Sequence, residues 1–314
     1  MIEREPMGTA GPIGLAKPHL LNDNEDGLFF VVNSDIVCNY EFNRMLEKHS
    51  QHQGIATICV KEVEDPSKFG VVVANDDGQV QEYRQNPTSF LSTKVNAGMY
   101  LFHTSVLSSN RIQAKPMSLE QEVLPQLASE GSLYCVTLDS FWMDIGLPHN
   151  FLLATQLFLQ HLQESMYAED NIMVGSGPED DCVYKIFDGE QSINMPLAEG
   201  PNIIGSVLIH PSAKVDPSAV LGPDVVVGKS CIIGAGSRIS NSTILPQTEI
   251  KRHVFIRNSI IGWQNVIGHW VRIEGVSVVA QDVHLKDEVF INESMILPHK
   301  NIQQSIPNAG TIVM

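Results

Sequence analysis

Positive charge and long apolar runs are both scarce in this 314-residue chain. Lys and Arg number 20 against 36 Asp and Glu, and the formal net charge is −16. Such an acidic chain repels a phosphate backbone, which argues against general nucleic-acid binding. No run of about 18 apolar residues predicts a membrane span, and residues 1–6 lack the apolar segment of a signal peptide. We therefore expect a cytoplasmic protein that binds neither nucleic acid nor a membrane.

Cysteine is too scattered to suggest a framework of cross-links. No C-x-x-C spacing occurs among the five cysteines, which are Cys38, Cys59, Cys135, Cys182 and Cys231. Their spacing predicts neither a zinc site nor a set of disulfides. We expect free, buried thiols in a reducing compartment.

The C-terminal third contains the clearest pattern, an aliphatic residue at every sixth position. The pattern fills each slot from Ile203 to Leu245, slips by one residue at Ile250, slips again at Ile261 and continues to Leu297. This period fits neither a helix nor a simple strand alternation, but it is typical of the hexapeptide parallel β-helix. We predict a left-handed parallel β-helix over residues 201–314. A sandwich of short strands with regular turns is the alternative.

Residues 1–162 show the alternation of an α/β domain. Leu28–Val32 is a continuous apolar run, as expected of a strand that is buried on both faces. Strand patterns at residues 55–60 and 133–138 alternate with helical patterns, including one at residues 150–162. This order predicts a mostly parallel sheet.

An acidic stretch separates these two regions. Residues 164–199 contain nine acidic residues and one basic residue, and Gly175, Gly177 and Pro178 interrupt any periodicity. We predict an acidic linker over residues 163–200, between a domain at 1–162 and the β-helix at 201–314.

Two carboxylates are candidate metal ligands. Asp35 follows the apolar strand Leu28–Val32, and ligands of open α/β sheets bind beyond the carboxyl ends of the strands. Asp144 follows a later strand pattern, so the two side chains could share one Mg²⁺, which prefers oxygen ligands. A helix N-cap is the alternative role for Asp35, and a turn is the alternative for Asp144.

Several motifs occur in the order found in one enzyme family. They are EPMGTAG at residues 5–11, VNSD at 32–35, PSKFGVVV at 66–73, NAGMY at 96–100, FWMDIG at 141–146 and IIGW at 260–263. With the hexapeptide array, they resemble mannose-1-phosphate guanylyltransferases of the eukaryotic β-subunit type over nearly the whole chain. Such enzymes join GTP and mannose 1-phosphate to make GDP-mannose and pyrophosphate. The resemblance implies a partial Rossmann-like nucleotidyltransferase domain followed by the β-helix.

The resemblance also implies roles for individual residues. Gly8 and the loop after it would approach the guanine, and Asn96 and Gly98 would contact the sugar, since a backbone without a Cβ allows close approach. Asp35 and Asp144 would hold the Mg²⁺. An ordinary tight turn is the alternative explanation for Gly98.

Two departures from the family pattern bear on activity. The family's glycine-rich phosphate loop is not found before Gly8, so we expect the chain to be truncated at its N-terminus relative to the family. In the family, a stretch reading FVEKP contains the catalytic lysine and an acidic residue before it. In this chain Asn86 stands in place of the lysine, and Gln85 stands in place of the acidic residue. Two hypotheses follow: a guanylyltransferase that uses GTP and mannose 1-phosphate, or a catalytically degenerate regulatory or structural subunit. In either case we expect a homo-oligomer or a hetero-oligomer with a family member.

Overall fold

The structure is a computed structural model that describes residues 5–52, 54–170, 184–188 and 191–314. It divides into two compact units, Met1–Trp142 and Met143–Met314. The first contains the α/β elements, and the second contains a long helix, a hairpin and the repeat region. Within the described residues, no helix is both long and apolar enough to cross a membrane.

Short helices and strands alternate through the first unit. The helices are α1 (Gly11–Leu15), α2 (Lys17–Leu21), α3 (Phe42–Ser50), α4 (Ser105–Ser108) and α5 (Leu124–Ser129), with a π-helical turn at Leu119–Val123 before α5. The strands are β1 (Leu28–Val32), β2 (Ile36–Cys38), β3 (Ala56–Glu62), β4 (Gly70–Ala74), β5 (Val80–Gln85), β6 (Lys94–His103), β7 (Leu133–Thr137) and β8 (Trp142–Asp144). The strands expected at residues 28–32, 55–60 and 133–138 are confirmed.

The main sheet of the first unit is mixed, so the prediction of a mostly parallel sheet is wrong. β6 pairs antiparallel with β1, β3 and β4, and β4 pairs antiparallel with β5, while β3 and β7 run parallel. β1, α3 and β3 follow one another in the order of a parallel crossover. The antiparallel strand β6 nevertheless lies between β1 and β3, and it comes from later in the chain.

Both faces of β1 are covered, as its apolar run predicts. Phe29 and Val31 belong to the apolar cluster on one face of the sheet, and Leu28 and Phe30 pack against the cluster on the other. Burial is incomplete, because Val32 is 38% exposed. In the part of the chain that the structure describes, β1 pairs with β6 alone.

The second unit consists of α6 (Pro148–Asp170), a hairpin and a β-helix. The hairpin strands β9 (Tyr184–Asp188) and β10 (Gln191–Met195) pair antiparallel. The first sheet of the β-helix contains β11 (Val207–Ile209), β14 (Val225–Val227), β17 (Ser242–Ile244), β20 (Ser259–Ile261), β23 (Ser277–Val279), β26 (Met295–Ile296) and β28 (Ile312–Val313). The second contains β12 (Lys214–Val215), β15 (Ile232–Ile233), β18 (Glu249–Ile250), β21 (Val266–Ile267), β24 (His284–Leu285) and β27 (Asn301–Ile302). The third contains β13 (Val220–Leu221), β16 (Arg238–Ser240), β19 (Phe255–Arg257), β22 (Arg272–Glu274) and β25 (Phe290–Asn292).

All pairing inside these three sheets is parallel, which confirms the β-helix and excludes the sandwich. The aliphatic anchors fill one continuous core, with Ile233, Ile256, Ile273 and Ile291 each at most 1% exposed. The coils are not all equal in length. Val207 pairs with Val225, 18 residues on, whereas Val227 pairs with Ile244, 17 residues on.

Two predicted anchors are wrong by one residue. Ile244 is fully buried while Leu245 is not, so the first phase slip comes before Ile244 and not at Ile250. Ile296 is 1% exposed and Leu297 is 40% exposed, which adds a slip that the predicted pattern omits. In both cases two aliphatic residues are adjacent, and the six-residue period alone does not say which one enters the core.

The predicted acidic linker is described only in part. α6 continues to Asp170, well past the predicted helix at residues 150–162, and β9 and β10 lie in the same stretch. Residues 171–183 and 189–190, with Gly175, Gly177 and Pro178, lie outside the described residues.

Four cysteines are buried free thiols, as the sequence predicts. They are Cys38, Cys59, Cys135 and Cys231, and Cys182 lies outside the described residues. Burial raises the pKa of the Cys38 thiol to about 11 and that of the Cys59 thiol to about 12. These two thiols therefore stay protonated and poorly nucleophilic near neutral pH.

Candidate functional site

Asn96, on β6, is the centre of a hydrogen-bonded group of polar side chains. Its Nδ2 donates to the Tyr100 hydroxyl at 2.8 Å and lies 3.4 Å from the Tyr83 hydroxyl. Its Oδ1 accepts from the backbone N–H of Gly98 at 3.2 Å. Residues 96 and 100 lie on one face of β6, because side chains alternate along a strand. The amide is therefore held in one orientation from three sides.

Glu120 extends this group toward the loop at Gly8. Its Oε1 accepts from the Tyr100 hydroxyl at 3.3 Å, and its Oε2 accepts from the Thr9 hydroxyl at 2.6 Å and the Ser118 hydroxyl at 3.0 Å. Sequence reasoning does not single out Glu120. A carboxylate directly after Leu119 at the start of an apolar helical stretch is the signal that could have drawn attention to it.

The two phenols of this group are held as neutral donors. Burial, and then the negative charge of Glu120, raises the pKa of Tyr100. Burial also raises the pKa of Tyr83, against the opposing effect of its hydrogen bond with Asn96. Both hydroxyls therefore keep their protons near neutral pH. They hold the partly exposed Asn96 amide and Glu120 carboxylate, which are the donor and acceptor types that a polyhydroxylated ligand needs.

Gly98 brings the loop after β1 against this group. The backbone N–H of Asn33 donates to the carbonyl oxygen of Gly98 at 2.9 Å. Gly98 has a φ of +75°, and a Cβ there would lie 2.9 Å from Nδ2 of Asn33. Both the backbone conformation and the close contact require glycine. The space at Gly98 is thus used within the protein, and its contact with a sugar stays a prediction.

Gly8 also makes a close backbone contact. Its φ is +69°, and a Cβ would collide with the carbonyl oxygen of Met117. That same oxygen accepts from the N–H of Ala10 at 3.0 Å, and the N–H of Met117 donates to the carbonyl of Met7 at 3.1 Å. These bonds fix the loop beside Thr9. The proposed approach of Gly8 to a guanine stays a prediction.

The two predicted metal ligands adjoin the small sheet formed by β2 and β8. Asp35 directly precedes β2 and is exposed, and it does not cap a helix, since the N-cap of α3 is Glu41. Asp144 is the last residue of β8 and accepts from the N–H of Gly146 at 2.8 Å, as a turn residue would. Within the described residues, no three His, Cys, Asp or Glu side chains converge as a metal site. A shared Mg²⁺ remains a prediction.

Asn86 is exposed at the end of β5. Its φ is +45°, a conformation that Asn tolerates better than most residues, and its N–H donates to the carbonyl of Phe69 at 3.1 Å. Gln85 accepts from the Tyr83 hydroxyl at 3.3 Å, so it belongs to the group around Asn96. Arg84 is exposed and its charge is paired with Glu82. Side chains alternate along β5, so Tyr83 faces inward and Arg84 faces outward.

Comparisons with known proteins agree with this architecture. A family model described as nucleotidyl transferase matches residues 1–161, and one described as the GMPPB C-terminal domain matches residues 203–312. Among the relatives is the mannose-1-phosphate guanylyltransferase catalytic subunit beta of Danio rerio, 42% identical over 99% of this chain and 78% of that protein. The subunit of the same name from Dictyostelium discoideum is 44% identical over the same shares. Probable mannose-1-phosphate guanylyltransferase 2 of Oryza sativa subsp. japonica is 40% identical over 97% of this chain and 76% of that protein.

Solved structures are more distant. A putative glucose-1-phosphate thymidylyltransferase from Bacillus anthracis matches with a TM-score of 0.42 and 18% identity, over 56% of this chain and 66% of that one. HddC from Yersinia pseudotuberculosis matches with a TM-score of 0.41 and 25% identity, over 50% of this chain and 65% of that one. The chain thus spans slightly less than two thirds of the length of these solved proteins.

Proposed function

Because this chain belongs to the mannose-1-phosphate guanylyltransferase family, we propose that it binds mannose 1-phosphate and GTP and forms GDP-mannose and pyrophosphate. The observation that carries the proposal is the group of polar side chains centred on Asn96. Tyr83 and Tyr100 orient its amide, Glu120 accepts from the Tyr100 hydroxyl, and this arrangement suits the hydroxyls of a sugar. Family membership supplies the reaction, and the Asn96 group supplies a place for the sugar.

Each part of the proposed site has a distinct task. Asn96 and Glu120 bind sugar hydroxyls, and the loop fixed at Gly8 lies along the guanine. Asp35 and Asp144 fit Mg²⁺ in their chemistry, since both offer carboxylate oxygens. When bound, the metal would neutralise charge on the phosphates during transfer. The residues of the chain orient the two substrates so that the sugar phosphate reaches the α-phosphate of the nucleotide.

A second candidate function is that of a non-catalytic subunit that pairs with an active family member. One observation favours it. Asn86, at the position where the resemblance places a catalytic lysine, is a neutral, exposed amide. The nearby Arg84 does not replace that charge, because it is already paired with Glu82.

An assay of the full chain separates the two candidates. The purified chain and an Asn86→Lys variant are incubated with GTP, mannose 1-phosphate and Mg²⁺, and GDP-mannose is measured by chromatography. We expect the unmodified chain to be slow, since loss of one preorganised charge costs about 10²–10³ in rate, and we expect Asn86→Lys to be faster. If the unmodified chain turns over at about 10 s⁻¹, a typical enzyme value, it is not a non-catalytic subunit.

Ligand binding provides the control for that assay. Mannose 1-phosphate should bind to the unmodified chain and to Asn86→Lys, and it should bind much more weakly to Asn96→Ala. If Asn96→Ala binds as well as the unmodified chain, the sugar site proposed here is wrong, whatever the turnover.

The proposal extends to the setting of the chain. The buried, unpaired thiols suit a reducing cytoplasm. We also propose that the chain assembles with itself or with another family member.

A further inference from the structure

A cavity of about 540 Å³ lies in the first unit, lined by residues other than those of the Asn96 group. Its walls come from α3, from the turn between β4 and β5, from β6 and from β7. Three basic side chains line it: Arg44 and Lys48 of α3 and Lys94 of β6. Its volume is within the range of small-molecule sites, roughly 300–1,000 Å³.

The three basic side chains differ in whether they form ion pairs. Arg44 is paired with Glu41 and with Asp139, both at 2.8 Å. Lys48 and Lys94 form no ion pair with any described residue. Both are half-buried, and neither ammonium group lies within ion-pair distance of a carboxylate of the described residues.

Both lysines lie near the Cys135 thiol, which lines the same cavity. Burial raises the pKa of that thiol, and the nearby charges of Lys94 and Lys48 act in the opposite direction. Lys48 lies over Gly78, where an added Cβ would be 3.2 Å from its Cε. An anion between two such charges would lower their mutual repulsion.

Helix electrostatics account for one of these lysines but not for the other. Lys48 lies in the last turn of α3, where a cation is favoured by the helix dipole. Lys94 begins β6, and no such effect places a cation there.

We propose that this cavity is a second ligand site, which binds a single phosphate group between Lys48 and Lys94. The amide groups of Asn75 and Gln51 and the hydroxyl of Thr137 line the same space and supply neutral hydrogen-bonding groups. Glu47 and Asp76 also line it and are exposed. These carboxylates repel chains of several phosphates and favour one phosphate group, either free or on a small sugar.

Calorimetric titration of the full chain at fixed ionic strength tests the site. Inorganic phosphate and a hexose 6-phosphate are the two probes, and they distinguish a free phosphate from a phosphorylated sugar. We expect saturable binding of at least one probe. Lys48→Gln and Lys94→Gln should each weaken it about tenfold or more, since a hydrogen bond to a charged group contributes about 1.5–3 kcal/mol. Lys68→Gln, at an exposed lysine outside the cavity, is the matched control and should bind as the unmodified chain does.

Two further variants keep the test independent of folding and of the Asn96 site. Lys94→Arg keeps the charge and should retain binding, so a loss in Lys94→Gln alone reports on charge. Asn96→Ala should bind inorganic phosphate as the unmodified chain does, which separates this site from the proposed sugar site. The proposal is overturned if neither probe saturates the chain, or if Lys68→Gln and Lys94→Gln bind with equal affinity.

Discussion

Asn33 and Gly98 fit against each other at the end of β1: the N–H of Asn33 donates to the carbonyl of Gly98, and the Asn33 side chain fills the space where a Cβ of residue 98 would lie. Asn33 begins the loop that carries Asp35, and Gly98 follows Asn96 by two residues on β6. The contact therefore fixes a candidate metal ligand relative to the candidate sugar site. The relative position of these two candidate sites therefore depends on the lack of a side chain at Gly98.

Replacement of Gly98 by alanine should destabilise the first unit and disturb the site. The positive φ alone costs about 1–2 kcal/mol for a residue with a Cβ, and the contact with Asn33 adds to that cost. Gly310→Ala is the matched control, because Gly310 has the same φ of +75° but no atom within 4 Å of an added Cβ. Chemical denaturation should show a larger loss of unfolding free energy for Gly98→Ala than for Gly310→Ala. Equal losses would mean that the contact with Asn33 has no energetic effect.

The corrected register of the β-helix makes a second prediction. Ile296→Ala should lower the free energy of unfolding by about 2–5 kcal/mol, the usual cost of a cavity in a packed core. Leu297→Ala should change it by less than about 0.5 kcal/mol, as at an ordinary surface position. Thermal or denaturant unfolding of the two variants decides the matter. If Leu297→Ala is the more damaging, the predicted six-residue phase was right and the register described here is not.

Two histidines in the first unit share one buried hydroxyl. Nδ1 of His49 is 2.9 Å and Nε2 of His52 is 3.1 Å from Oγ1 of Thr57. The N–H of Gly54 donates to Nδ1 of His52, so the proton of a neutral His52 ring is on Nε2. That proton is donated to Thr57, whose own hydroxyl proton is donated to His49. Every position in this chain is filled when both rings are neutral.

Acid should weaken the first unit through these rings. Burial, and then the charges of His49 and Lys48, lowers the pKa of His52 to about 4, and burial lowers the pKa of His49. A ring with a lowered folded pKa stabilises the fold fully above its unfolded value of about 6.5, and this contribution is lost as the pH falls toward 4. Denaturant unfolding from pH 7.5 to 4.5 measures the effect.

His52→Phe serves as the test variant, because it can keep the stacking of ring 52 on Tyr134. We expect stability to depend less on pH in this variant than in the unmodified chain. His19→Gln, at an exposed position, should leave the pH dependence unchanged. An identical pH profile for His52→Phe and the unmodified chain would rule out this source of acid sensitivity.

Self-association, or association with a full-length family member, remains to be measured. Trp263 and Trp270 are 50% and 61% exposed, so they do not fill the core at a phase slip. Exposed aromatic side chains often anchor interfaces. Light scattering should show an oligomer, either of the chain alone or after addition of the homologue. Trp270→Ala should weaken it without lowering the melting temperature, and a stable monomer that ignores the homologue would contradict the prediction.

The sequence predicts the repeat region well because its signal is local and periodic. Each anchor such as Ile233 or Ile273 is buried by its own coil and the next, so the period appears directly in the chain. The sheet of the first unit depends on pairing between distant segments. The insertion of β6 between β1 and β3 leaves no local trace, and neither does the bond from Tyr100 to Glu120, twenty residues apart.

Candidate ligand residues at strand ends could be predicted from the sequence for the same reason, because their signal is local. Asp35 stands directly after an apolar run, and Asn96 lies inside a recognisable motif. The cavity at Lys48 and Lys94 could not be predicted from the sequence, because it forms only when α3, β6 and β7 come together. Whether a lysine has an ion-pair partner depends on the folded structure, and the sequence alone does not distinguish a paired lysine from an unpaired one.

In the coils up to Ile302, all variation in coil length occurs at one corner of the β-helix; after Ile302, Ile306 follows by only four residues and pairs with Ile291. Anchors are six residues apart from the first sheet to the second and from the second to the third, as in Ile244, Ile250 and Ile256. From the third sheet back to the first they are six apart at Ile273 and Val279 but five apart at Ile256 and Ile261. A one-residue insertion or deletion is therefore absorbed at this corner without a change in which side chains enter the core. Within these complete coils, the same change at either of the other two corners would turn an anchor outward, so evolutionary length changes before the last coil should be confined to one edge of the prism.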